Sequence, residues 1–330
     1  MDSIATWYYP NGQIKNKISY YKGILQGQRI DYYETGQTES IVKYVNGKKD
    51  SVGIFFYPNE QIDCIENCSV GKLQGISTSY FENGKLKSIL KYEKGKLDSI
   101  ASWYYQNGQI SCIATYRSGT RQGIQTCYYE DGKIQSIVKY DKGKSDSIGT
   151  WYYQSGQISS CAKYIEDKKD SIAIWYWPNG NVRNRNKYNL GKEIDTSFSY
   201  FQNGQLFFVS YFAEGIKKRY YENGNLQLLA GYKNGKADGI RYYYGPDGKP
   251  QEGNDTIEFS DFKMKTIVTC KQGKPIGEVK VYENNKLTLL ASMKNGYPDG
   301  KWRYFNETGK DTLIEYYHKG TFLKEKHKVE

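Results

Sequence analysis

Along most of the chain, apolar and polar residues alternate in short runs, and the runs are separated by glycines. From Lys133 to Tyr140, Ile134, Ser136, Val138 and Tyr140 fall on one side, with Gln135, Ile137 and Lys139 on the other. Period-two alternation rich in β-branched and aromatic residues is the pattern of a half-exposed strand. The following run, Asp146 to Tyr153, alternates in the same way. No stretch carries the helical period of a useful amphipathic helix.

The alternation repeats every 24 residues: Tyr8-Tyr9-Pro10-Asn11-Gly12 returns as Tyr32 to Gly36, Tyr80 to Gly84, Tyr104 to Gly108, and onward to Tyr200 to Gly204. A second glycine follows 11 residues after the first, as at Gly23, Gly47, Gly71, Gly95, Gly119, Gly143 and Gly191. The unit is therefore strand, turn, strand, turn. A fixed period of this size means stacked units, each too small to bury a core alone. The chemistry of the first turn is specific. Pro10, Pro58, Pro178 and Pro246 stand two before the glycine position. There the fixed φ of proline suits a type I turn, and the glycine closes it as a G1 bulge. Glu60 and Asn285 occupy glycine positions, and Glu60 is expected to be strained or its turn remodelled.

A double period overlies the single one: Asp50-Ser51, Asp98-Ser99 and Asp146-Ser147 alternate with Gln26-Gly27, Gln74-Gly75 and Gln122-Gly123. The alternation lapses at Asp170-Ser171, where two Asp-Ser units adjoin. The expected fold is all-β: an elongated array of about thirteen antiparallel β-hairpins in a single meandering sheet. Residues 1–248 are its regular repeats, 249–262 an insert loop, and 263–330 divergent repeats of the same array.

Hydrophobic content of 38% and a mean hydropathy of −0.78 are too polar for an ordinary buried core. Thirty-four tyrosines resolve the conflict, since Tyr covers apolar surface with its hydroxyl left in water. Net charge is +11, and lysines recur in one strand column at Lys43, Lys91, Lys139, Lys163 and Lys187. Interspersed with Asp50, Asp98, Asp146 and Asp170, they are read first as a solvated face. Of six cysteines, Cys112 and Cys127 could face each other across one hairpin, but free thiols in a reducing compartment fit the spacing best. With no apolar run long enough to cross a bilayer and no signal segment, a cytoplasmic location is expected. The chain begins in the middle of a unit, at the position of Asp50-Ser51, which raises the expectation of a longer natural chain.

Chemistry is sparse. The only histidines are His318 and His327, carboxylate pairs recur with the repeat, and glycines introduce no helix. No enzyme, metal or cofactor is expected, and neither a small-molecule substrate nor nucleic acid. One column stands out: Trp7, Phe55, Trp103, Trp151 and Trp175, five before the turn glycine, joined on the same side by Trp177. It is either a packing ladder or a row of aromatic platforms for a partner. These six residues are the candidate partner-binding set.

Units such as Tyr220-Tyr221-Glu222-Asn223-Gly224-Asn225-Leu226, followed by Tyr232-Lys233-Asn234-Gly235-Lys236-Ala237-Asp238-Gly239, resemble the variant MORN repeat. Long arrays of it occur in proteins labelled YwqK-family toxin-antitoxin antitoxins. The resemblance covers nearly the whole chain and is weakest at 249–262. It implies a β-hairpin array with a non-catalytic role in binding proteins, and suggests neutralisation of a toxin partner. Related arrays are associated with scaffolding and with tethering to membranes. Asp-Ser stands where the family has Asp-Gly, so that turn is expected to depend less on glycine. A protein partner is the first expectation, with anionic lipid or an envelope carbohydrate as alternatives.

Overall fold

The computed structural model describes residues 2–234 and 236–327, with the backbone alone at Asp2, Phe259 and Ser260. Gly235, part of the repeat quoted above, lies outside them. The described chain is nearly all antiparallel strand, as the alternation requires, and it divides into Met1–Lys168 and Lys169–Glu330, here units 1 and 2.

In unit 1 each strand pairs with the next in sequence. The hairpin Ser99–Tyr104 with Ile110–Arg117 is representative. Its register sets Ala101 opposite Ala114 and Trp103 opposite Cys112, then slips by one residue at Tyr104. The turn is the expected one: Gly108 N donates to Tyr105 O (2.9 Å), Gln109 N donates to Asn107 Oδ1 (2.9 Å), and Gly108 is left-handed at φ 94°. The other turn is two residues long, with both residues left-handed, as at Ser118 (φ 51°) and Gly119 (φ 84°). That is the type I′ geometry whose twist matches the flanking strands.

Two relays tie repeats of unit 1 to their neighbours, the first lapsing at Phe81, which has no hydroxyl. Tyr9 Oη donates to Tyr32 O (2.8 Å), Tyr33 to Phe56 O (2.6 Å), Tyr57 to Tyr80 O (2.9 Å) and Tyr105 to Tyr128 O (2.7 Å). At the opposite turns, Gln26 Oε1 accepts from Asn46 N (2.9 Å), Gln74 from Lys94 N (2.9 Å), and Asp98 Oδ1 from Ser118 N (2.9 Å). Gln-Gly and Asp-Ser units thus cap the same turn with different side chains. The residue after the cap is left-handed in both: Gly27 at φ 97° and Gly75 at 87°, but also Ser51 at 65°, Ser99 at 80° and Ser147 at 132°. The expectation that this turn depends less on glycine is therefore wrong, because serine sits in a conformation that favours glycine. Glu60 likewise keeps its turn, unremodelled, at φ 64°.

Unit 2 holds two sheets. The first runs from Lys168–Tyr176 to Lys236–Tyr243; the second has seven strands, from Gly253–Phe259 to Thr321–His327. A single sheet was expected, and the break falls in the segment read as a loop. Gly253–Phe259 is instead a strand with Ile257 buried at its centre, and Ser260–Phe262 is a 3-10 turn. Asp261 accepts from Gln202 N (2.8 Å) and Phe262 stacks on Phe207, centroids 3.8 Å apart, so the segment packs inward. Where pairing leaves the first sheet, Pro250 makes an isolated bridge with Tyr244 and Gln251 N donates back to Tyr243 O (3.0 Å). Between the two sheets lies a core that includes Leu228, Ala230, Tyr243, Val268, Ala291 and Trp302. The last strand of the first sheet also spends its free amides on turns of the second: Arg241 N on Gly296 O (2.7 Å) and Tyr243 N on Gly273 O (2.6 Å).

Candidate aromatic binding face

Alternation assigns each strand residue of unit 1 to one of two faces. Ala101 and Trp103 share a face with Ala114 and Tyr116, and the indole of Trp103 meets the Tyr116 ring edge-on at 6.4 Å. Trp151 meets Tyr164 in the same way at 6.0 Å. Each ring lies back over a small residue two positions earlier. A Cβ on Gly149 would stand 2.6 Å from Trp151 Cη2, and Ala101 beside Trp103 is only 1% exposed. The rings of this face thus cover the small residues beneath them while staying partly exposed themselves.

The register threads one row through the whole face: Trp7, Asn16, Asp31, Ser40, Phe55, Cys64, Ser79, Ser88, Trp103, Cys112, Cys127, Ser136, Trp151 and Ser160. A ring stands on every fourth strand, about 19 Å from the next, and the three strands between carry small polar or thiol side chains. Trp7, Phe55, Trp103 and Trp151 are thus on one face of unit 1. Trp7 is 43% exposed and the other three are half-buried. Trp175 lies in unit 2, half-buried, with Lys169 Nζ 4.5 Å above its ring. Trp177 leaves the set. It is 6% exposed, donates its indole N–H to Tyr200 O (2.9 Å) and packs against Phe262 at 5.7 Å, so it is a core residue. Phe262, which covers it, comes from the segment taken for a loop, and nothing in the repeat signals that contact.

Two further features mark this face. Cys112 and Cys127 are joined as a disulfide, Cα atoms 4.0 Å apart, which corrects the free-thiol expectation for this pair. Cys64, Cys68, Cys161 and Cys270 are free. Burial first, then Glu66 and Asp63, pushes the Cys64 thiol up to about 12, so it stays protonated at neutral pH. The second feature is cationic: the Arg121 guanidinium lies 4.6 Å from the Tyr140 centroid and 5.9 Å from that of Tyr116. Arg121 falls in the same repeat position as Lys49, whose ammonium covers Phe55 at 5.3 Å.

The opposite face is of another kind. Ile4, Val52, Ile76, Ile100, Ile124 and Ile148 form an exposed column, 72% at Ile4 and 62% at Ile148. Lysines stand directly across from three of them: Lys91 opposite Ile76, Lys139 opposite Ile124 and Lys163 opposite Ile148. The adjoining row runs Ile41, Ile54, Ile65, Thr78, Ile89. Neither row contains an Asp or Glu among the described residues. Within those residues there is also no group of three or more His, Cys, Asp or Glu placed to hold a metal ion, and no helix long and apolar enough to cross a membrane.

Six stretches of the sequence, 1–22, 25–46, 73–94, 97–118, 121–142 and 213–234, match the MORN repeat variant, together less than half of the chain. Among curated proteins, none matches. Similar solved structures include a mutant Tc holotoxin pore of Photorhabdus luminescens, 12% identical over 95% of this chain and 22% of that one, with a TM-score of 0.16. Another is TcdB2-TccC3 without its hypervariable C-terminal region, 11% identical over 97% and 22%, again with a TM-score of 0.16. The chain spans about a fifth of the length of either, and at that TM-score neither likeness carries an argument.

Proposed function

We propose that this chain is a non-catalytic repeat scaffold that binds a protein partner on the aromatic face of unit 1. One observation carries the reading. Leu228 and Ala230 of unit 2 occupy the repeat positions of Cys112 and Ala114, counted from the turn glycines Gly224 and Gly108. In unit 2 those positions lie under a second sheet, whereas the described strands of unit 1 supply no second layer of their own over that face. That open face is also where the large rings stand. Partly exposed Trp set among small residues is the composition of an interface anchor, and such anchors each contribute about 2 kcal/mol or more when buried by a partner. Neutralisation of a toxin-like protein is the form of this reading that the resemblance to antitoxin arrays suggests.

Affinity capture from native lysate by wild type, by the Trp103→Ala, Trp151→Ala double variant and by Ile100→Asp on the opposite face tests it. A single stoichiometric protein should survive high salt with wild type and Ile100→Asp, and drop at least thirtyfold with the double variant, the factor that about 2 kcal/mol implies. Equal capture by all three, or none by wild type, overturns the reading.

The opposite face favours a second reading, attachment to anionic lipid. Beside its exposed isoleucines, its lysines would each contribute about 1 kcal/mol near an anionic surface. Sedimentation with phosphatidylserine vesicles should fall with salt and vanish on Lys91→Glu, Lys139→Glu, Lys163→Glu. Binding indifferent to both changes would exclude it.

A further inference from the structure

Unit 2 buries two repeat sheets against each other, and both present the same face of the repeat. In the first sheet Leu228 and Ala230 match Cys112 and Ala114. In the second, counted from Gly309 as from Gly108, Trp302, Tyr304, Glu315 and Tyr317 match Ala101, Trp103, Ala114 and Tyr116, and their register is the same: Trp302 opposite Glu315, Tyr304 opposite Leu313. Trp302 and Tyr317 belong to the shared core. The molecule therefore already contains one instance of this repeat face covering itself.

We propose that the aromatic face of unit 1 is covered by the same face of a second copy of this chain, in an isologous dimer. The inference rests on reading that face as a protein-binding surface and names its occupant. Three further observations select a second copy and this face.

The first is charge. On the aromatic face Arg29 is paired in two-pronged fashion with Asp31, Nε to Oδ2 and Nη2 to Oδ1 both at 2.8 Å, and the row itself holds no other charge. Beside the row the signs are mixed, since Glu66 and Lys49 both act on Cys64. Two such faces meet with little like-charge repulsion. On the isoleucine face two rows hold Lys17, Lys43, Lys91, Lys139 and Lys163 without an acid, and a copy laid row on row would set those lysines against each other, with Asp98 and Asp146 beside Lys91 and Lys139 offsetting part of the repulsion.

The second is shape. Rings recur every fourth strand, and the strand midway between two rings carries Asp31, Ser79 or Cys127. Two copies offset by two strands, about 10 Å, would seat each ring of one over the small residues of the other. A two-fold axis makes every such contact twice. A row with a ring in every unit would leave a single strand between rings to receive each ring of a copy; the doubled period leaves three.

The third is area. The strands from Asp2–Tyr8 to Ile158–Ile165 number fourteen, four of them interrupted by a single residue. They give a face about 65 Å long at the usual strand spacing. Three side-chain rows add a width of about 14 Å, hence roughly 900 Å² per copy, against about 800 Å² per partner in a standard stable interface.

Sedimentation velocity of the full chain from low to high micromolar concentration tests the proposal. The expected result is a reversible dimer whose dissociation constant rises at least tenfold in Trp103→Ser and in Ser79→Trp, which fills a gap. Ile100→Asp should leave it unchanged, with circular dichroism showing each variant folded. A monomer throughout that range overturns the proposal, as does a dimer that ignores both Trp103→Ser and Ser79→Trp or that Ile100→Asp abolishes. A monomer whose Trp103→Ala, Trp151→Ala variant still loses a captured protein would end the dimer and leave the binding face standing. A Trp-dependent dimer that captures nothing else would support self-pairing alone.

Discussion

Serine holds a left-handed backbone at Ser51, Ser99 and Ser147, with φ of 65°, 80° and 132°, where the intervening repeats use Gly27, Gly75 and Gly123. A side chain in that region costs about 1–2 kcal/mol, while glycine gives back about 0.5–1 kcal/mol through its freer unfolded chain. Each Ser→Gly change should therefore stabilise unit 1 by roughly 0.5–1 kcal/mol. The three sites are two repeats apart, about 19 Å, far enough for near-additivity, so the triple variant should gain about 1.5–3 kcal/mol. The reverse change, Gly123→Ser, should cost about as much as one site gains. A Cβ there would meet only Thr115 Cβ, at 4.0 Å, so crowding contributes nothing and the backbone alone is tested. Urea unfolding followed by Trp fluorescence is the assay, with amide exchange across 99–128 to localise the change, because a repeat array need not unfold in one step. A triple variant with an unchanged or lowered midpoint would refute the reasoning. It would mean that serine is held there by something that glycine cannot replace.

Other expectations are simpler to read. Protein purified without reductant should show four reactive thiols in denaturant and six after reduction, matching the Cys112–Cys127 bridge and the four free cysteines; six at the outset would deny the bridge. Gly149→Ala should displace the Trp151 indole and raise its exposure to acrylamide quenching, since the new Cβ would stand 2.6 Å from the ring; Ala101→Gly should leave quenching of Trp103 nearly unchanged. In unit 2, Glu315 is 3% exposed and receives Lys236 (2.5 Å), Tyr304 (2.8 Å) and Tyr317 (2.7 Å). Glu315→Ala should destabilise that unit by about 2–4 kcal/mol, because the Tyr304 and Tyr317 hydroxyls lose their acceptor while Lys236 keeps Glu325 at 2.6 Å; a loss under about 1 kcal/mol would contradict the buried network. Tyr105→Phe removes one relay bond and should cost about 1 kcal/mol in thermal unfolding.

The hairpin array could be read from spacing because every repeat spends the same residues on the same local geometry. Proline, then Asn or Asp, then glycine leaves few turn types open, and the observed hydrogen bonds are those of the expected one. The common face of Trp7, Phe55, Trp103 and Trp151 was also legible, since alternation alone places it. Identity misled wherever the environment was non-local. Serine after Asp50, Asp98 and Asp146 suggested an ordinary backbone, yet the neighbouring cap demands the same left-handed bulge that glycine takes. Asn254 to Glu258 looked like a loop because its polar residues face outward and only Ile257 is buried. Trp177 joined the column by alternation, two residues beyond Trp175, but its burial depends on Phe262, which no periodicity could connect to it.

The two kinds of repeat make the same kinds of attachment to their neighbours, a tyrosine relay on one side, lapsing where Phe81 stands, and a Gln or Asp cap on the other. The fold is consequently blind to which kind stands where. Excision of one unit, for example 75–98, should leave every hydrogen bond of the relays replaceable by the next unit, yet throw all rings beyond the cut out of step with those before it. Excision of two adjoining units would restore the step. Stability and recognition thus answer to rulers of different length, and a ladder of such deletions would separate them. The chain already contains one slip of the shorter ruler, where Trp151 is followed by Trp175 after a single unit.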